Sequence, residues 1–214
     1  MAGRLLRWAV LAAFFIWLGR AIDLPRFWVY AAIWLGAALY GLLSVDPTLL
    51  TERRKPGGRT LDPWTLLGIR VCAVTSAVVA LVDIDRVHWS DTVPEAIRIP
   101  AMMLYAAALL LAVRAMIANR FFSIAVRIQA DRGHRLVSSG PYRIVRHPGY
   151  LGMGVACPAS VLALGSWLAL VPALLYALLI VRRAALEDRY LRTELDGYAA
   201  FAARVRYRLI PGVW

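Results

Sequence analysis

The sequence predicts an all-α integral membrane protein with five to six transmembrane helices, including a C-terminal helical hairpin, and a cytoplasmic amphipathic helix after them. Three observations carry this. Of the 214 residues 61% are hydrophobic and 18% charged, against about 45–50% and about 25% in soluble domains. The apolar residues gather into runs of the roughly 20 residues that span a hydrocarbon core. Basic residues cluster in alternate connecting segments, as cytoplasmic loops require. The length suits a single membrane domain, 1–214, in which 1–119 supplies four spans and 120–214 the remainder.

Trp8–Ile22 is the first candidate span, short and interrupted by Arg20. It lacks a small-residue cleavage pattern and so reads as a span rather than a signal peptide. Phe27–Val45 is the second, with Trp28, Tyr30 and Trp34 toward one end in the manner of an interfacial belt. Asp46–Asp62 reads as a polar loop broken by Pro47, Pro56, Gly57 and Gly58, and its run Glu52-Arg53-Arg54-Lys55 as a solvated charge cluster rather than a substrate-facing lid. Pro63–Val82 is the third span. A polar segment follows, 83–98, with Asp83, Asp85, Asp91 and Glu95 against Arg86 and Arg98; its lone His88 reads as structural or solvated. Ile99–Asn119 is the fourth span.

The uncharged run Pro148–Val181 is 34 residues long. As one helix it would extend about 50 Å, too far for one ordinary crossing. Leu164-Gly165-Ser166 supplies a turn and a helix cap, so the run predicts a hairpin over 149–164 and 166–183. In the polar tail, Leu191, Leu195, Tyr198, Ala202 and Val205 recur every three or four residues, which predicts one amphipathic helix ended by Ile210-Pro211-Gly212.

Charge sets the topology. The 46–62 segment holds four basic residues, and Arg114–Arg146 holds seven arginines against one acid, while 83–98 is net acidic. Alternation places the N-terminus, 46–62, 114–146 and the C-terminal tail on the cytoplasmic side of a multi-pass membrane protein. The net charge of +12 lies between apolar runs with no soluble reading module, which argues against nucleic acid as a partner. Cys72 and Cys157 both sit inside apolar runs and read as buried free thiols, not as a disulfide or a metal site.

The densest polar stretch, His134–Tyr150, abuts the longest apolar run. Gly140-Pro141 marks a turn that fixes Tyr142. Pro148 opens the hairpin's first helix, where free backbone N–H groups meet anions. The faces of Tyr142 and Tyr150 attract cations, ammonium or sulfonium among them. Downstream, Arg183 and Glu187 share a helix face. On these residues alone, an interfacial aromatic belt and a surface salt bridge explain the pattern as well as a binding site does.

Gly140-Pro141-Tyr142, Arg146-His147-Pro148 and Tyr150, then a hairpin, then Arg183, Glu187, Asp188 and Leu191, resemble the isoprenylcysteine carboxyl methyltransferase family, itself similar to the phospholipid methyltransferases. The resemblance covers about 120–212, which it marks as the cofactor-binding, catalytic part, and has the look of the prokaryotic branch. It implies a membrane methyltransferase using S-adenosyl-L-methionine. It also implies that His134, Arg135, Leu136, Val137, Tyr142 and the group His147, Pro148, Gly149 and Tyr150 line the cofactor. Glu187 would contact the cofactor and Arg183 the methyl acceptor, these two forming the catalytic pair, with Gln129 a further site residue. Two departures are visible: Asp188 replaces the second glutamate of the family pair, and Phe201 replaces a tail tyrosine, removing a hydroxyl.

The implied acceptor is a lipophilic small molecule or lipid. A basic Arg183 beside it suits a carboxylate, hence O-methylation. Two alternatives remain open: an NADPH-dependent membrane reductase of the sterol-reductase type, and a non-catalytic scaffold or transporter subunit. The acceptor's identity and the oligomeric state are not encoded in any recognisable pattern.

Overall fold

The computed structural model describes residues 25–58 and 60–214; the expected first span, Trp8–Ile22, lies outside them. The regular structure of the described residues is all helical, with no strand among them. In chain order the helices are α1 (Pro25–Ser44), α2 (Pro47–Arg54), α3 (Pro63–Val82), α4 (Glu95–Ala118), α5 (Pro148–Leu164), α6 (Leu170–Glu194) and α7 (Tyr198–Arg204). Among the described residues three segments are long and apolar enough to cross a membrane, Pro25–Ser44, Pro63–Val87 and Glu95–Ala118, and α5 is a shorter apolar helix beside them. The chain is an all-α integral membrane protein.

α3 begins where the sequence says it should. Asp62 caps it by accepting the Thr65 N–H at 3.3 Å, and Pro63 occupies the first turn, where its missing N–H costs nothing. The same signature at Asp46-Pro47, within the segment expected to be a polar loop, also starts a helix. Asp46 accepts the Thr48 N–H at 2.7 Å and starts α2, whose Leu49 is fully buried. The charge run at its end is only partly solvated: Arg54 and Lys55 are exposed, as expected, but Glu52 and Arg53 are not. Glu52 is 5% exposed and receives Nε and Nη2 of Arg127 at 3.2 and 3.0 Å, so it pins α2 to the loop that follows α4.

The hairpin forms with shifted edges. Gly165, at φ 113°, closes α5 in a left-handed conformation that disfavours side chains, and α6 starts only at Leu170. Asp83 fastens this turn to the α3–α4 connection, accepting from the N–H groups of Trp89 and Ser90 at 2.9 and 3.0 Å and from Ser166 Oγ at 2.5 Å. His88 stands in that connection at φ 51°, its Nδ1 2.7 Å from Asp91.

α4 and α5 form the most heavily packed pair of helices. Gly152 is the reason they approach so closely: a Cβ there would lie 2.6 Å from the Ala108 carbonyl oxygen and 2.7 Å from the Ala112 nitrogen. α6 runs past the expected end at 183 to Glu194, so its last turns leave the apolar bundle. The tail is not one continuous helix. Gly197, at φ 78°, turns the chain between α6 and α7, yet Leu191, Leu195, Tyr198, Ala202 and Val205 still share one cluster with Tyr142, Leu136 and Val137. The stripe marked the buried face correctly; the glycine broke the helix without breaking the face.

Candidate active site

At one end of the bundle, where α4 ends, α5 begins and α6 emerges, residues 119–147 and the tail enclose a narrow cleft of about 50 Å³. Of the residues singled out from the sequence, His134, Arg135, Leu136, Val137, Tyr142, His147, Glu187 and Gln129 line it. Pro148, Gly149, Tyr150 and Arg183 do not; they stand behind its wall.

The loop that carries His134 is tied down locally. Gln129 is 1% exposed, and its Nε2 donates to the Phe121 carbonyl at 2.7 Å while Arg132 donates to its Oε1. The His134 ring stacks on Phe121, centroids 4.6 Å apart, and its Nδ1 accepts the Gln129 N–H at 3.3 Å. Burial, then the charges of Arg127 and Arg132, push its pKa down to about 4, so the imidazole is neutral at physiological pH. Tyr142, buried in a tight turn entered through Gly140 at φ 59°, accepts from Asn119 Nδ2 at 3.3 Å. Arg135 is exposed at the mouth.

The wall between the cleft and the bundle is a hydrogen-bonded relay. Arg183 Nε donates to the Tyr150 hydroxyl at 3.1 Å, and that hydroxyl donates to Glu187 Oε2 at 2.6 Å. α5 and α6 thus meet through three of the residues singled out from the sequence. Glu187 faces the cleft, half-buried, whereas Arg183 is 2% exposed and also donates to the carbonyls of Asp62 at 3.4 Å and of Ile124. Gly149 gives Phe122 room: a Cβ there would fall 2.6 Å from the Phe122 ring, which stands edge-on to Tyr150 at 5.8 Å.

Asp188 is what the sequence reading missed. It is fully buried and receives Arg146 Nε at 2.6 Å and Nη2 at 3.1 Å, Tyr198 OH at 2.9 Å, Arg208 Nε at 2.9 Å and Arg192 Nε at 3.2 Å, with His147 Nε2 3.3 Å away. Burial alone would raise its pKa, but the bonds from His147, Arg146 and Arg208 hold the carboxyl well below the usual range. The tail is latched alongside: the N–H groups of Arg146 and His147 donate to the carbonyls of Tyr207 and Arg208 at 2.9 Å each, and Arg146 Nη1 donates to those of Val205 and Arg206 at 2.7 Å. Tyr198 and Asn119 also line the cleft unforeseen. Asp188 beside Glu187 was visible as an acidic pair, but nothing local distinguished its role from its neighbour's.

The cleft's chemistry is mixed: aromatic faces from Tyr142, His147 and Phe121, one carboxylate from Glu187, and cationic groups from Arg127 and Arg135 at its edge. Such a lining suits a zwitterionic, aromatic ligand rather than a purely apolar one.

No curated protein matches the chain. Residues 99–193, from the first turns of α4 to the end of α6, match the sequence model of the Isoprenylcysteine carboxyl methyltransferase (ICMT) family. They hold much of the cleft's lining together with Tyr150, Arg183, Glu187 and Asp188. Over this segment, somewhat under half of its length, the chain is similar to the isoprenylcysteine carboxyl methyltransferase family, a likeness that supports a membrane methyltransferase.

Proposed function

We propose that the chain transfers a methyl group from S-adenosyl-L-methionine to a carboxylate on a lipophilic acceptor. The observation that carries this reading is the Arg183–Tyr150–Glu187 relay, which joins a polar cleft to the interior of an apolar bundle. A water-soluble donor and a lipid-soluble acceptor must meet at such a boundary.

The residues present fit the donor. Glu187 offers a carboxylate for a ribose or ammonium group, and the rings of Tyr142 and His147 offer electron-rich faces for a cationic centre. Bound there, the donor would supply an electrophilic methyl: the acceptor oxygen bonds that carbon as the C–S bond breaks, leaving a methyl ester and a neutral thioether. The protein's own contribution is alignment and exclusion of water, and alignment alone contributes about 7–11 kcal/mol in favourable cases.

In this reading His134, Arg135, Leu136, Val137, Tyr142 and His147 hold the donor, Pro148, Gly149 and Tyr150 back the wall behind them, and Gln129 fixes the loop beneath. Tyr150 orients Glu187, and Arg183 sets Tyr150. Because Arg183 already donates to the Tyr150 hydroxyl and to two carbonyls, it acts on the acceptor by holding the wall in place; any direct contact with a carboxylate replaces one of its carbonyl bonds. In this reading the protein sits in a prokaryotic inner membrane with the cleft on the cytoplasmic face, the side that the basic segments favour.

Incubating membranes that contain the protein with methyl-labelled S-adenosyl-L-methionine tests the reaction class. Label in the lipid extract that mild base releases as methanol is expected of a carboxyl methyl ester. Base-stable label in that extract would move the acceptor atom from oxygen to nitrogen or sulfur, and the absence of protein-dependent label would refute methyl transfer.

A further inference from the structure

We infer that Arg53, on α2 and outside the matched segment, is a specificity-determining residue of the acceptor site, and that it selects an anionic amphiphile by taking its carboxylate. The inference rests on the methyltransferase reading above and names what that site accepts.

Arg53 is half-buried, and its guanidinium lies over the Phe122 ring, 5.5 Å from the centroid. Its one hydrogen bond among the described residues runs from Nη1 to the Phe122 carbonyl at 3.0 Å. Phe122 stands edge-on to Tyr150, so Arg53 is one ring's width from the relay. Burial, opposed by Tyr150 and reinforced by the Arg183 guanidinium, lowers its pKa from the ordinary arginine value. Two guanidinium groups therefore converge beside Tyr150.

Their counter-charge is incomplete. Glu187 is bound to Tyr150. Glu52, next to Arg53 in the chain, is committed to Arg127, to Ser123 Oγ at 3.1 Å and to the Gly57 N–H at 3.3 Å. Each nitrogen of Arg183 already donates one bond, whereas among the described residues only Nη1 of Arg53 does. A carboxylate arriving next to Tyr150 thus finds a fork of N–H groups on Arg53, matched in geometry to its two oxygens.

The surroundings say what the carboxylate is attached to. Leu49, one turn earlier on α2, is buried with Val45 and Phe122, and Met153 packs on this cluster. Met153 also lines an apolar pocket of about 220 Å³ between the helices, with Ala77, Leu109 and Tyr176 among its walls. An amphiphile with its head on Arg53 has an apolar space for its body within reach, and a neutral or cationic head gains nothing from the unpaired guanidinium.

The test uses the full chain in detergent, with hexadecanoate, hexadecanol and hexadecylamine as probes. Binding is followed by tryptophan fluorescence, and S-adenosyl-L-methionine binding is measured in parallel. The wild type is expected to bind hexadecanoate more tightly than either of the other probes. Arg53→Gln should weaken hexadecanoate at least about tenfold, as loss of a charge-assisted pair does, and leave hexadecanol and S-adenosyl-L-methionine unchanged. Arg53→Lys keeps the charge without the fork and should recover part of the affinity. Hexadecanoate binding that is no tighter than hexadecanol, or that is indifferent to Arg53→Gln in a variant that still binds S-adenosyl-L-methionine, overturns the inference. A wild type that binds no S-adenosyl-L-methionine refutes the methyltransferase reading instead.

Discussion

Replacing Asp188 by Asn keeps the shape of the side chain and removes the charge on which the tail converges. Asp188 is 0% exposed and Arg146 3%, so the substitution leaves a buried guanidinium without its counter-ion. Breaking a buried pair in this way costs about 3–5 kcal/mol. The contacts from Arg192 and Arg208 add little, because 42% and 31% of those side chains remain exposed and solvent screens them. For a chain of this size each kcal/mol moves the melting temperature by roughly 2–4 °C, so the expected fall is roughly 6–20 °C. Thermal unfolding in detergent, followed by tryptophan fluorescence at two scan rates, reads this and exposes any kinetic contribution. Adding Arg146→Met to Asp188→Asn should restore part of the loss, since the orphaned charge then disappears. A melting temperature for Asp188→Asn within about 2 °C of wild type would show that the hub does not hold the tail.

Two further outcomes follow from the same geometry. Because the folded-state pKa of His134 lies at about 4, below the 6.5 of a free imidazole, the unfolded chain binds the extra proton between those values. That share of stability is full above pH 6.5 and is lost as pH falls toward 4; a melting series across this window should show the decline, and His134→Gln should flatten it between pH 5 and 6.5. Gly152→Ala places a methyl against the α4 backbone, 2.6 Å from the Ala108 oxygen, and should cost about 1–3 kcal/mol as the helices separate, read as a lower melting temperature.

What could be read from the sequence and what could not divides along physical lines. The span at Pro63–Val82 was legible to the residue because an aspartate cap, a proline and an apolar run all act locally. The hairpin was legible from length alone, since a 34-residue uncharged run cannot cross once. α2 was missed because eight residues hold barely two turns, and the Asp46-Pro47 that starts it serves equally well as a loop breaker. The run at 52–55 looked solvated because the partner of Glu52, Arg127, lies 75 residues away. Distance in sequence also hid Asp188, whose partners Arg146 and Arg208 come from 42 residues before and 20 after. The recurring residues of the tail announced which face is buried, but Gly197 alone decided that the face is built from two helices. The residues singled out around His134–Tyr150 and at 183–187 come together across α5 and α6. Which of them face the cleft and which stand behind it was decided by helix rotation, on which the motif spacing is silent.

The central claim is that one wall of the cleft comes from the start of α5 and the other from α6, and that together they hold S-adenosyl-L-methionine. Titration calorimetry of the detergent-solubilised chain with this ligand tests it directly, using His147→Ala and Glu187→Ala beside the wild type. The expected result is saturable binding by the wild type and a clear loss of affinity in each variant. Unchanged affinity in both variants would contradict the assignment of this cleft as the cofactor site.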